Sequence, residues 1–175
     1  MERGKKFEKS IQNDLTKASS GDVYCNVRVS HMYEFDAIVA EYPVLTFIEI
    51  KAYRSDMSPS RARVAARKLR RNCVDVTTNE EKWRVSWIPY SKSTVENEKL
   101  THKERLFKKL EIDITEGWKY RMMLIVPDIS YDIVLKSLSG DFMDKSRHTK
   151  YAKNLFDVEG IFLTVIPRKR IKDVF

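Results

Sequence analysis

The segment 34–54, EFDAIVAEYPVLTFIEIKAYR, constrains this chain more than any other. Two runs of aliphatic, aromatic and β-branched residues are separated at Glu41-Tyr42-Pro43, and they read as two strands of one hairpin. Three charges interrupt them: Asp36 in the first run, Glu49 and Lys51 in the second. Charges inside apolar strands are costly unless something compensates them. A hairpin centred between Tyr42 and Pro43 puts Asp36 directly opposite Glu49, with Cβ atoms about 4.5–5.5 Å apart. Alternation along the strand puts Lys51 on the face of Glu49. Like charges facing each other destabilise a sheet, so this pairing asks for a cation between them. Two carboxylate oxygens and a backbone carbonyl, that of Ile50, suit Mg²⁺ or Mn²⁺, ions that keep waters and bind phosphate oxygens. A lysine beside such an ion orients or deprotonates the attacking water, or stabilises charge on a phosphate. The plain alternative is an edge salt bridge from Lys51 to Asp36 or to Glu49.

The rest of the chain alternates helix and strand signals. Residues 5–18 carry Phe7, Ile11, Leu15 and Ala18 at helical spacing and stop at Ser19-Ser20-Gly21-Asp22. A strand is expected over 23–33. Ser58-Pro59 starts a helix that runs to about residue 74 with Ala62, Ala65, Ala66, Leu69 and Cys73 inward. Strands are expected over 83–90, 120–127 and 160–167, helices over 101–112 and 130–143, and a polar loop over 91–100. The basic stretch 144–154 reads either way. The class is α/β or α+β with at least one mixed sheet. With 175 residues, no linker and no repeat, one domain over 1–175 is expected, its core in 1–90 and an extension of it in 91–175. No run reaches the ~18 apolar residues of a membrane helix. The charged start MERGKKFEKS is no signal peptide, so a cytoplasmic location is expected. Cys25 and Cys73 stand far apart and are expected to be reduced thiols.

Asp36, followed thirteen positions later by Glu49-Ile50-Lys51, resembles the signature of the PD-(D/E)XK nucleases, the superfamily of restriction endonucleases and archaeal Holliday junction resolvases. The resemblance covers roughly the first 90 residues. It implies a restriction-endonuclease-like core of helix, three-stranded meander, helix and further strand. It also implies Asp36 and Glu49 as metal ligands, Lys51 as the catalytic lysine, and Glu8 on the first helix as an auxiliary ligand. Phe35 stands where the family name has proline. A second Glu-x-Lys, Glu80-Glu81-Lys82, has neither an apolar strand around it nor an aspartate to face.

A net charge of +8 and a pI near 9.4 favour a polyanionic partner, most commonly nucleic acid. Arg61, Arg63, Arg67, Lys68, Arg70 and Arg71 lie in an acid-free stretch just after the Glu-x-Lys strand and are candidate phosphate contacts. Arg147, Lys150, Lys153 and the tail Arg168, Lys169, Arg170 and Lys172 form a second basic cluster. His31, His102 and His148 have no metal spacing. Trp83, Trp87, Phe107 and Trp118 read as core. These readings converge on an expectation: a Mg²⁺- or Mn²⁺-dependent deoxyribonuclease with DNA as partner, homodimeric if it resolves junctions. The alternatives are a non-catalytic nucleic-acid-binding module on the same fold and an RNA-processing nuclease.

Overall fold

A computed structural model describes residues 2–78, 100–143, 157–158 and 161–175. The elements in chain order are α1 (Glu2–Ala18), β1 (Asp22–Arg28), β2 (Glu34–Glu41), β3 (Val44–Ile50), α2 (Pro59–Thr78) and α3 (His102–Leu110). They continue with β4 (Lys119–Val126), α4 (Tyr131–Met143), β5 (Asp157–Val158), β6 (Ile161–Pro167) and α5 (Ile171–Val174). The hairpin has the register its apolar pattern demands. Pairs run from Ala37 with Ile48 to Glu41 with Val44, about the two-residue connection Tyr42-Pro43, whose peptide bond is cis.

The strands form one mixed sheet in the order β1-β2-β3-β4-β6-β5, and the fold is α+β. β1, β2 and β3 are an antiparallel meander. β4 then pairs parallel to β3, and β6 parallel to β4. Glu49, Leu124 and Val165 are therefore level with one another, as are Ile50, Ile125 and Ile166. The C-terminal ends of β3, β4 and β6 open on a single edge. Met122 to Val126 of β4 are wholly buried, the continuous apolar run of a strand covered on both faces.

Each face carries its own core. On one, Ala62, Ala65, Ala66, Leu69 and Cys73 of α2 pack with α3 and α4 over Ile38, Leu45 and Phe47. On the other, Ile11 and Leu15 of α1 and Ile171 of α5 cover Ala37, Val39, Ile48 and Ile50. The stripe expected on the first helix is thus the stripe that is buried, with Phe7 and Ala18 packed at its two ends. α2 starts at Pro59 as expected and runs past residue 74, because Val76 and Thr77 continue the buried face. A Thr101–Glu104 capping box starts α3.

β1 is shorter than the expected 23–33. The chain leaves the sheet after Arg28 and folds into a turn closed by the Val29 amide donating to the Tyr33 carbonyl at 2.9 Å. Cys25 and Cys73 are both free. The strand expected over 83–90, nearly all of the polar 91–100 stretch and the basic 144–154 segment lie outside the described residues, as do Glu80, Trp83, Trp87 and His148. Among the described residues no helix is long and apolar enough to cross a membrane.

Candidate active site

The hairpin ladder ends one step short of Asp36. Beyond the Ala37–Ile48 pair a side chain takes over from the backbone: Asp36 Oδ2 accepts the Ile50 N–H at 2.7 Å. Ile50 therefore enters the site through its amide. This happens where the strand alternation slips. Ala37 and Val39 lie in the α1-side core, Ile38 and Ala40 in the α2-side core, yet Phe35 also lies in the α2-side core. β1 shows the same slip, with Tyr24 and Val27 both against the α2-side core. The β1–β2 pairing holds register on either side, Cys25 with Ala37 and Val27 with Phe35, and skips Asn26 and Asp36 between them. Asn26 sits at φ 52°, a left-handed conformation that asparagine tolerates better than most residues.

Gln12 stabilises this break from α1. Its Nε2 donates to the Asp36 backbone oxygen at 2.9 Å and to Asn26 Oδ1 at 3.2 Å. Glu8, one helical turn earlier, presents its carboxylate 3.4 Å from the same amide nitrogen. α1 is thereby tied to β1 and β2 at the level of Asp36. Burial raises the Glu8 pKa, and the nearby charge of Glu49 raises it further, with Lys51 opposing.

Glu49 is only 4 % exposed. Its Oε1 lies 3.2 Å from Lys51 Nζ and 3.9 Å from Lys68 Nζ of α2. Asp36 feels the opposite balance. Burial and the Glu49 carboxylate push its carboxyl up to about 7, Glu8 adds to this, and the Ile50 N–H and Lys51 work against it. Three carboxyl groups and two ammonium groups thus influence one another where β2 begins and β3 ends.

A cleft of about 250 Å³ opens beside Lys51, lined by Tyr53, Ser60, Arg61, Val64 and Lys68. Tyr53 donates its hydroxyl to the Arg61 carbonyl at 3.0 Å, and the Arg61 guanidinium lies 5.7 Å from the Tyr53 ring centre. Burial pushes the Tyr53 hydroxyl up to about 12, Arg61 pulling it back and Glu49 adding to the rise. At neutral pH Tyr53 is a phenol whose proton is given to the Arg61 carbonyl.

The expected residues sort clearly. Asp36, Glu49, Lys51 and Glu8 are brought together. Of the basic residues on α2, Arg61 and Lys68 line the cleft with Lys51. Arg67 and Arg71 are exposed, whereas Arg63 and Arg70 are half-buried. Gln12, Asn26 and Tyr53 complete the site without having been singled out in the sequence. The usable signals were modest: a polar residue on α1 one turn after Glu8, and an asparagine level with Asp36.

The donor chemistry suits a hard divalent cation. Asp36 and Glu49 repel each other until positive charge is added, and both offer oxygens. Among the described residues no three His, Cys, Asp or Glu side chains close on a point as a preformed cage. No family model, no curated protein and no solved structure matches the chain. The residues and their geometry alone carry the functional reading.

Proposed function

We propose that this chain is a metal-dependent nuclease with a PD-(D/E)XK-type site and a restriction-endonuclease-like core, hydrolysing DNA phosphodiester bonds. One observation carries the reading. Asp36 is held beside Glu49 at the end of β3 with its carboxyl pushed up to about 7, while Lys51 sits 3.2 Å from Glu49. A salt bridge needs one acid and one base. It leaves the charge of Asp36 unexplained, since taking the Ile50 N–H needs only an acceptor oxygen and a second buried carboxyl beside the first adds repulsion with no gain in pairing. The order α1, meander, α2, with β4 as the next described strand against β3, supports the proposed core. So does the placement of the site at the C-terminal end of parallel strands, where open α/β sheets bind ligands.

Asp36 and Glu49 would hold the cation, with Glu8 as an outer acid. A bound Mg²⁺ or Mn²⁺ supplies charge neutralisation at the phosphate and a more acidic water. The chain's own residues do the rest. The Ile50 N–H fixes one oxygen of Asp36 and leaves the other for a ligand. Glu49 holds the Lys51 ammonium next to the acids, where it can hold a water or meet a phosphate oxygen. Lys68 and Arg61 give the cleft a positive wall for the flanking backbone.

The test is cleavage of labelled duplex, single strand, flap, four-way junction and RNA, with Mg²⁺ and with chelator, by the wild type and Glu49→Ala. Metal-dependent cutting of DNA that the variant loses supports the proposal. Binding without cutting under all conditions assigns a non-catalytic module, and cutting confined to RNA assigns a ribonuclease. A junction-resolving version requires two sites on one branch point, so sedimentation of such an enzyme shows a homodimer.

A further inference from the structure

A second cleft, of about 500 Å³, lies between the C-terminal half of α1 and the chain that follows β6. Asp14, Lys17, Asp128, Arg168, Lys169 and Lys172 line it. Its two acids are already answered. Asp14 Oδ2 takes the Arg168 guanidinium at 2.9 Å, and Asp128 Oδ1 takes the Lys169 backbone N–H at 3.0 Å. Lys17, Lys169 and Lys172 are exposed, and no acid among the described residues pairs with them. Four cations, Lys17, Arg168, Lys169 and Lys172, thus share one concavity with two carboxylates, an excess of positive charge that suits an anion of extended negative charge.

The topology says which anion. β3, β4 and β6 are parallel and level, so Lys51 and Arg168 leave the same edge of the sheet. They emerge two strand spacings apart, about 10 Å. Along one strand of duplex DNA that distance covers roughly three nucleotides. Arg168 and Lys169 of this cleft thus follow β6 at the edge that carries Lys51, on the path of a nucleic acid lying across it at the Asp36–Glu49 site. We infer that this cleft is a second phosphate-binding site, which holds the backbone of the same nucleic acid some nucleotides from the bond at Lys51. The inference rests on the nuclease reading for its choice of ligand. The cleft offers charge without base readout, so it supplies affinity and register rather than sequence preference.

The test replaces Lys17, Lys169 and Lys172 together by alanine and, in a second variant, together by arginine. Affinity for a labelled DNA duplex is followed against salt, with Ca²⁺ in place of Mg²⁺. All three positions are exposed, and a thermal melt checks that both variants fold. The alanine variant is expected to bind more weakly, with a log–log salt slope shallower by about 0.9 for each phosphate that is no longer neutralised. The arginine variant keeps the wild-type slope. An unchanged slope in the alanine variant, alongside metal-dependent cutting by the wild type, overturns this inference alone. A shallower slope with no metal-dependent cutting overturns the nuclease reading and leaves the phosphate site standing. No duplex binding by the wild type overturns both. Tripolyphosphate binding that the alanine variant loses, with the duplex slope unmoved, overturns the inference in favour of a free polyphosphate ligand.

Discussion

The β2–β3 hairpin has two ends that share one register and differ in almost everything else. At the turn, the hydrogen bonds go to neutral partners. Glu41 accepts the Ser20 hydroxyl at 3.0 Å, the Tyr42 hydroxyl donates to the Glu116 carbonyl at 2.8 Å, and the Pro43 carbonyl accepts the Lys119 N–H at 2.7 Å. Tyr42 packs edge-on against Trp118. Gly21 lets β1 approach closely, since a Cβ there would lie 2.1 Å from the Ala40 carbonyl oxygen. At the open end Asp36, Glu49 and Glu8 lie within electrostatic reach of one another, two lysines stand near Glu49, and the ladder yields to a side chain. The turn end is arranged for stability. The open end carries electrostatic repulsion that the turn end has no counterpart for, and local rules broken in this way tend to mark sites of function.

The largest expected effect separates the two ends by activity. Glu49→Ala and Lys51→Ala should each lower turnover on the order of 10²–10³-fold or more while leaving DNA bound, because these interactions matter mainly in the transition state. Lys51→Arg refines the role. Arginine stays charged but cannot act as a base, so cutting by arginine with none by alanine identifies charge stabilisation. Full activity in Lys51→Ala would remove the open end from the chemistry.

The next effect is on stability without metal. Folding raises the Asp36 carboxyl from an ordinary 3.8 to about 7, so between these values the folded chain holds a proton that the unfolded chain has lost. Metal-free stability should therefore fall as pH rises through this window and stay low above it. Asp36→Asn removes the dependence and should add on the order of 1–3 kcal/mol at about pH 8. Urea denaturation of both proteins across this range measures it. A clear loss of stability at high pH in the variant would assign Asp36 to a structural ion pair.

Gln12→Leu takes away the side chain that anchors the slipped strands. It leaves the Asp36 carbonyl and Asn26 without that donor and should cost roughly 1–3 kcal/mol, read from thermal melts. Cutting should fall with it, because Glu8 is carried on the same turn of helix. Smallest of all, Glu41→Gln at the turn end should change stability by no more than about 0.5 kcal/mol and leave cutting at the wild-type rate. A large effect there would erase the contrast between the two ends.

Local pattern determined a good deal of this molecule. The buried face of α1, the inward alanines and leucine of α2 and the hairpin register all follow from spacing. Apolar residues recurring at 3.6 or at 2 leave one face to bury, and a slip of one residue would turn β3 inside out. Spacing also put Glu49 and Lys51 on one face, but the Asp36–Glu49 pair expected directly across the hairpin is absent from the ladder, which gives way to the Asp36 carboxylate on the Ile50 N–H. Tertiary structure decided the rest. The paired slip at Asn26 and Asp36 has no periodic signature, since it arises from two strands giving way at the same level. Gln12 reaches it only because α1 packs across that point. Lys68 and Arg61 face the site while Arg67 and Arg71 do not line its cleft, a choice made by the rotation at which α2 settles on the sheet. Arg168 shares an edge with Lys51 only through the parallel pairing of β3, β4 and β6. Periodicity reports which way a side chain faces within its own element. Which elements become neighbours depends on crossovers between distant segments, and on interactions whose free energy exists only once those segments have met.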